Sequence, residues 1–196
     1  MKRFKLFAML MVLLCSSSLF AKEFDWSECW CNYGGGLKEG EWVVTATGAL
    51  YYADLAYSAN DGFWFIPPVM VEVQYAQPIW KLPFTFGGYA GLRAFGYKYT
   101  TIENGKAVTK ETSSWSVFSG AEAAYHIMLP PESLDVYVVS RFGVCVPIIK
   151  PYAGWTYLDY VNVGSSIGAN WYFGKNVGLN LELGYPFSKF GVSVQF

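Results

Sequence analysis

A side-chain period of two, repeated from about residue 42 to the final Phe196, constrains this chain more than any other feature. Successive side chains of an extended strand point to opposite faces, so apolar residues at every second position give one apolar and one polar face. The stretch VGLNLELGY puts Val177, Leu179, Leu181, Leu183 and Tyr185 on one face, with Gly178, Asn180, Glu182 and Gly184 on the other. The chain end sets Phe190, Val192, Val194 and Phe196 against Gly191, Ser193 and Gln195. Residues 134–146 and 161–173 behave alike, with Val136, Val138, Phe142 and Val144, then Val161, Val163, Ile167 and Trp171, on their apolar faces. Residues 69–76, 84–99 and 115–127 alternate less cleanly, and Trp42-Val43-Val44 blurs the facing of residues 42–52. The count is about eight strands, most near the ~9–11 residues that a tilted membrane-crossing strand needs.

The connections come in two kinds. Gly174-Lys175-Asn176 is a tight turn, and residues 79–83 and 128–133 are compact. Residues 53–66, 100–113 and 147–158 read as long loops. Short turns at one rim and long loops at the other mark a transmembrane barrel; the short connection around Pro186-Phe187-Ser188 departs from that rhythm. The expected fold class is all-β: a closed antiparallel up-and-down barrel over residues 41–196.

The N-terminus reads as an export signal. Lys2, Arg3 and Lys5 precede the apolar run LFAMLMVLL, and SSSLFA follows it, which predicts cleavage after Ala21. Nine apolar residues fall well short of the ~20 that a membrane-spanning helix requires. Residues 22–40 then form an N-terminal periplasmic segment. Removing the first 21 residues moves the formal net charge from −1 to −4. Hydrophobic residues make up 53% and charged residues 15%, against roughly 25% charge in ordinary soluble domains. That composition excludes disorder, and the lack of basic excess excludes a nucleic-acid partner. A mean hydropathy of +0.23 argues against a multi-span helical protein.

Alternation alone does not say which face is outside. A soluble lipocalin-like periplasmic binder would bury the apolar face, whereas a membrane barrel turns it to lipid. The polar face mixes small residues with Tyr, Arg and Glu, which suits a narrow eight-stranded interior. Aromatics gather near the strand ends (Trp42, Tyr51, Tyr52, Trp115, Tyr125, Trp171, Tyr172, Phe173, Tyr185), as in girdles at two headgroup levels. The terminal pattern FGVSVQF resembles the closing strand of bacterial outer-membrane β-barrels, with Phe190, Val192, Val194 and Phe196 matching its insertion signal. Together with the export signal and strand count, the chain resembles the small barrels of the OmpA membrane domain, OmpX and OmpW over most of residues 40–196. The resemblance implies outer-membrane location, lipid contact, periplasmic chaperones and the barrel-assembly machinery as partners, and an envelope-structural role. Restricted passage of small or apolar molecules is the OmpW-like option.

About eight strands leave a lumen that side chains can fill. The parity turns Glu72, Arg93, Glu122, Asp135, Arg141 and Glu182 inward. Buried charges must pair or stay hydrated, and guanidinium forks suit carboxylates. Arg93 and Arg141 are therefore expected to form a cross-lumen network with some of Glu72, Glu122 and Glu182, fixing the barrel or gating small solutes. The one histidine, His126, falls at the presumed periplasmic end. Neither a catalytic constellation, a metal-ligand spacing nor a cofactor motif is complete, so the expected role is non-enzymatic. Cys29, Cys31 and Cys145 remain after cleavage, an odd number that predicts no simple disulfide framework. Phe63, Trp64 and Phe65, and Tyr152, Trp155 and Tyr157, are loop aromatics that suit contact with an extracellular ligand, as in an adhesin.

Overall fold

In the computed structural model the described residues are 28–52, 58, 60–130, 132–149 and 160–196. The export signal, Tyr152, Trp155 and Tyr157 lie outside them. Eight strands follow in order: β1 (Trp42–Tyr51), β2 (Trp64–Ala76), β3 (Phe84–Glu103), β4 (Lys106–Met128), β5 (Leu134–Ile149), β6 (Val161–Tyr172), β7 (Val177–Tyr185) and β8 (Phe187–Gln195). Each pairs antiparallel with its neighbours, and β8 returns to β1, so the sheet closes into a barrel. Closure runs from Val43↔Gln195 to Tyr51↔Phe187. It is completed by reciprocal backbone bonds between Trp42 and Phe196, at 2.8 and 3.0 Å. This register settles the facing of β1: Val43, Thr45, Thr47, Ala49 and Tyr51 are buried toward the lumen, while Trp42, Ala46 and Gly48 are exposed.

The two faces sort as the alternation expects. Leu183 is 57% exposed and Phe190 58%, whereas Glu182 is 0% and Asn180 1%. Buried polar side chains thus fill the inside, and an aliphatic belt covers the outside.

Two features differ from expectation. Residues 100–113 are strand rather than loop, because the β3–β4 ladder runs unbroken from Phe84↔Tyr125 to Glu103↔Lys106. Asn104 and Gly105 form its tip with φ of 51° and 75°, the left-handed pair that a two-residue hairpin turn demands. Beyond Gly96, where β2 stops pairing, this hairpin stands out as a two-stranded ribbon. It has no apolar face, so the apolar alternation disappears although the strands continue. Second, β3, β4 and β5 exceed the expected length, at 20, 23 and 16 residues, and β5 takes in Pro147 to end at Ile149.

Candidate functional site: the closed lumen

The lumen has three layers. At mid-height, Arg141 of β5 reaches across the barrel. Its Nη2 donates to Glu72 at 2.7 Å and to Glu182 at 3.0 Å, its Nε donates to Glu122 at 2.9 Å, and its Nη1 also donates to Glu182. Lys189 of β8 donates to Glu72 and lies 3.1 Å from Glu182. The five side chains come from β2, β4, β5, β7 and β8 and are almost wholly buried. A planar fork with donors on several edges serves three carboxylates at once, in a fixed geometry that a lysine ammonium does not impose. Arg93 occupies another level: its guanidinium lies 4.2 Å over the Tyr51 ring, so the cluster forms around Arg141 and Lys189. Lys189 was missed in the sequence. Extending the inward parity of Gly191, Ser193 and Gln195 by one step finds it.

Toward the short-turn rim the side chains are polar. Gln74 donates to Glu122 at 2.8 Å and accepts from the Thr85 hydroxyl at 2.8 Å. His126 lies between Thr85 (Nε2, 2.9 Å) and Asp135 (Nδ1, 2.8 Å). Asn170 donates to the other Asp135 oxygen at 3.1 Å, Asn180 donates to Asn170 and Tyr137 at 2.7 Å, and Tyr137 donates to Glu182 at 3.3 Å. The bonds close into a ring that returns to Arg141. The polarity around it is set by chemistry. The Thr85 proton is given to Gln74, and the His126 ring bridges the Thr85 oxygen and Asp135.

The Asp135–His126–Thr85 line has the spacing of a nucleophile, base and orienting acid. Its hydroxyl is already a donor to Gln74, however, and Thr85 and Asp135 are 0% exposed, so no substrate carbonyl can meet Thr85 in this state. Among the described residues no group of His, Cys, Asp and Glu is arranged to hold a metal ion.

Above the charged layer an apolar cluster fills the lumen beneath Arg93. Ala49, Tyr51, Met70, Tyr89, Phe118, Cys145 and Phe187 form one buried cluster. Tyr89 lies over Gly120 and Gly143: a Cβ at Gly120 would meet its hydroxyl at 2.7 Å, and one at Gly143 would meet it at 2.5 Å and Ser119 backbone at 2.3 Å. The Phe118 and Phe187 rings meet at a tilt of 32°, with centroids 5.0 Å apart.

Residues 28–41 close the short-turn mouth. Cys29 accepts at its carbonyl from Met128 N at 3.0 Å, and its thiol donates to the Met128 carbonyl at 2.7 Å. Gly35 N donates to Leu134 at 3.1 Å, and Gln195 donates back to the Gly35 carbonyl at 3.1 Å. Gly35 and Gly36, at φ of 66° and 77°, let the backbone turn there. Leu37 is buried against Val43 and Ala76, with Tyr33 beside it. The Tyr33 ring lies 5.5 Å from His126, and its hydroxyl donates to the Phe84 carbonyl at 2.6 Å. Burial, and secondarily Glu39, push the Tyr33 phenol up to about 12. Cys29 and Cys31 are free thiols, and Cys29 and Cys145 are buried.

The remaining sequence candidates are placed as follows. Phe190, Val192, Val194 and Phe196 face outward along the closing strand and chain end. Trp64 and Phe65 belong to β2, paired with Gly96 and Phe95, and Phe63 stacks on Phe65 at 5.9 Å.

No family model and no curated protein matches the chain. Among solved structures the chain is similar to the outer membrane protein Ail of Yersinia pestis, whose backbone structure was obtained in a phospholipid bilayer nanodisc. The match has 11% identity, covers 81% of this chain and 100% of that one, and has a TM-score of 0.38.

Proposed function

We propose that this protein is an integral outer-membrane barrel of structural, non-enzymatic role, its lumen shut by its own side chains rather than open for passage. The observation that carries this reading is the Arg141 cluster: one guanidinium and one ammonium bind three carboxylates across the lumen. An apolar layer above it and residues 28–41 below it leave solutes no open route. The outward aliphatic belt supports lipid as the surrounding medium, because a bilayer core requires every strand edge to be paired and every exposed side chain to be apolar. A soluble binder would require the opposite sorting. On this reading residues 1–21 are an export signal, and Phe196 and its alternating partners engage the assembly machinery.

A folded barrel should migrate differently on a gel before and after boiling, and should give no discrete conductance steps in a planar bilayer. Regular single-channel events would reject the closed-lumen reading. One migration at both temperatures, with extraction by buffer alone, would reject the membrane reading.

A second reading rests on the ribbon of β3 and β4. It projects beyond the wall and carries Ile102, 77% exposed, beside its tip, so it offers a surface for an extracellular ligand. Binding that disappears when residues 98–111 are replaced by a short turn would favour it.

A further inference from the structure

We infer that the lumen binds one water molecule between the Tyr89 hydroxyl, the Asn162 amide and Arg141, where the apolar cluster meets the charged layer. The barrel register brings these groups together. Tyr89 of β3 pairs with Gly120 of β4, Gly120 with Gly143 of β5, and Gly143 with Asn162 of β6. The four residues form one row across the wall, and strand parity puts all of them on the inner face. The two glycines carry no side chain, so the tyrosine lies along the wall over both. Its hydroxyl would be 2.7 Å from a Cβ at Gly120 and 2.5 Å from one at Gly143. Asn162 is the next residue in the row, one strand spacing of about 4.8 Å beyond Gly143.

Among the described residues neither the Tyr89 hydroxyl nor Asn162 Oδ1 has a hydrogen-bond partner. Both residues are buried, Tyr89 at 4% and Asn162 at 2% exposure. A donor and an acceptor taken out of water and left unpaired lose the bonds they made there, which is why folded interiors keep such groups with a partner. Phe118 and Phe187 of the cluster above offer neither donor nor acceptor. Below the row stands Arg141, which pairs with Gly164, two residues along β6 from Asn162. Its guanidinium carbon lies 5.9 Å from the centre of the Tyr89 ring. Four of its five N–H groups donate to Glu72, Glu122 and Glu182, and the fifth, on Nη1, has no carboxylate.

Two donors and one acceptor therefore converge. A cation would meet the two donors, and an anion would face Asn162 Oδ1 beside three carboxylates. The occupant must be small, neutral and able both to accept and to donate. Water accepts from Tyr89 and from Arg141 Nη1 and donates to Asn162 Oδ1, which makes the about three bonds usual for a buried water. The site lies wholly inside the barrel and stands whether or not the outer wall meets lipid.

The test measures NMR magnetisation transfer from water to side chains of the folded full chain. Tyr137 is the comparison: it is also 4% exposed, but its hydroxyl accepts from Asn180 and donates to Glu182. Transfer to the Tyr89 ring and the Asn162 amide should exceed transfer to the Tyr137 ring several-fold, with none to Phe118. Tyr89→Phe keeps the ring over the glycines and should lower the urea midpoint, whereas deleting a hydroxyl that has no partner would leave or raise it. Adding Asn162→Leu should cost less than the sum of the two single changes, because either one already breaks the bridge. Equal transfer at the two tyrosines, a Tyr89→Phe midpoint at or above the parent, or additive losses would each overturn the site. Transfer that reaches Phe118 as strongly would show a water column, which overturns both the single site and the closed lumen.

Discussion

Replacing Arg141 with methionine should destabilise the barrel by about 3–5 kcal/mol, the usual cost of removing one partner from a buried ion cluster. The structure explains why the effect belongs at the upper end. The substitution removes the donors to Glu72, Glu122 and Glu182 together and leaves three buried carboxylates with Lys189 as their cation in the cluster. The formal charge of the five-residue cluster goes from −1 to −2. Arg141→Lys keeps the charge but loses the fork, so it should fall between the two. Adding Glu122→Gln to Arg141→Met should recover part of the loss, because one unpaired charge is gone. Urea unfolding of vesicle-inserted protein reads this out as a lower midpoint at unchanged slope. An Arg141→Met variant within about 0.5 kcal/mol of the parent, the range of neutral surface changes, would refute the reasoning.

Other expectations follow from separate contacts. Asp135→Ala strands His126 and Asn170, each hydrogen-bonded to it, and should cost about 1–3 kcal/mol per lost partner in the same unfolding assay. Gly143→Ala drives a methyl into Ser119 backbone and the Tyr89 hydroxyl, and should cost about 1–3 kcal/mol or prevent refolding. The Tyr33 phenol, raised from 10 to about 12 in the fold, favours the neutral form. Its contribution is therefore complete below pH ~10 and is lost as pH rises toward ~12, so residues 28–41 should become protease-sensitive in alkali, and Tyr33→Phe should flatten that dependence. Phe196→Ala keeps the backbone pair with Trp42 and should change refolded stability by no more than about 0.5 kcal/mol, while lowering assembled protein in cells.

Much of the fold was legible because a strand of a barrel wall sends successive side chains to opposite faces, and apolar residues mark the outer one. Val177–Tyr185 has no competing signal and becomes β7 with the same bounds. Legibility failed where that contrast disappears. The outer part of the β3–β4 ribbon carries no apolar stripe, so Thr100, Thr101 and Thr109 read as loop residues even though Asn104-Gly105 is a turn signal between two strands. The upper lumen failed differently: Phe95, Phe118 and Phe187 face inward, against the rule that aromatics point to lipid. Only packing across the barrel explains them. Within the charged layer, parity puts Glu72, Glu122, Arg141 and Glu182 on the inner face, but it does not fix their heights. Parity places Arg93 on that same face, while its guanidinium lies over Tyr51. The cover made by residues 28–41 had one trace in the sequence, the Gly34-Gly35-Gly36 run, where a Cβ at Gly34 would lie 2.7 Å from the Leu134 carbonyl.

The facing of the wall can be measured directly by solid-state NMR magnetisation transfer from acyl-chain methylenes to the protein in bilayers. Transfer to the side chains of Leu179, Leu181, Leu183 and Val192, with none to Asn180 or Ser193, is the result expected from the exposed belt and buried interior. Contact of Asn180 with lipid, or a water-soluble protein whose leucines receive no transfer, would contradict it.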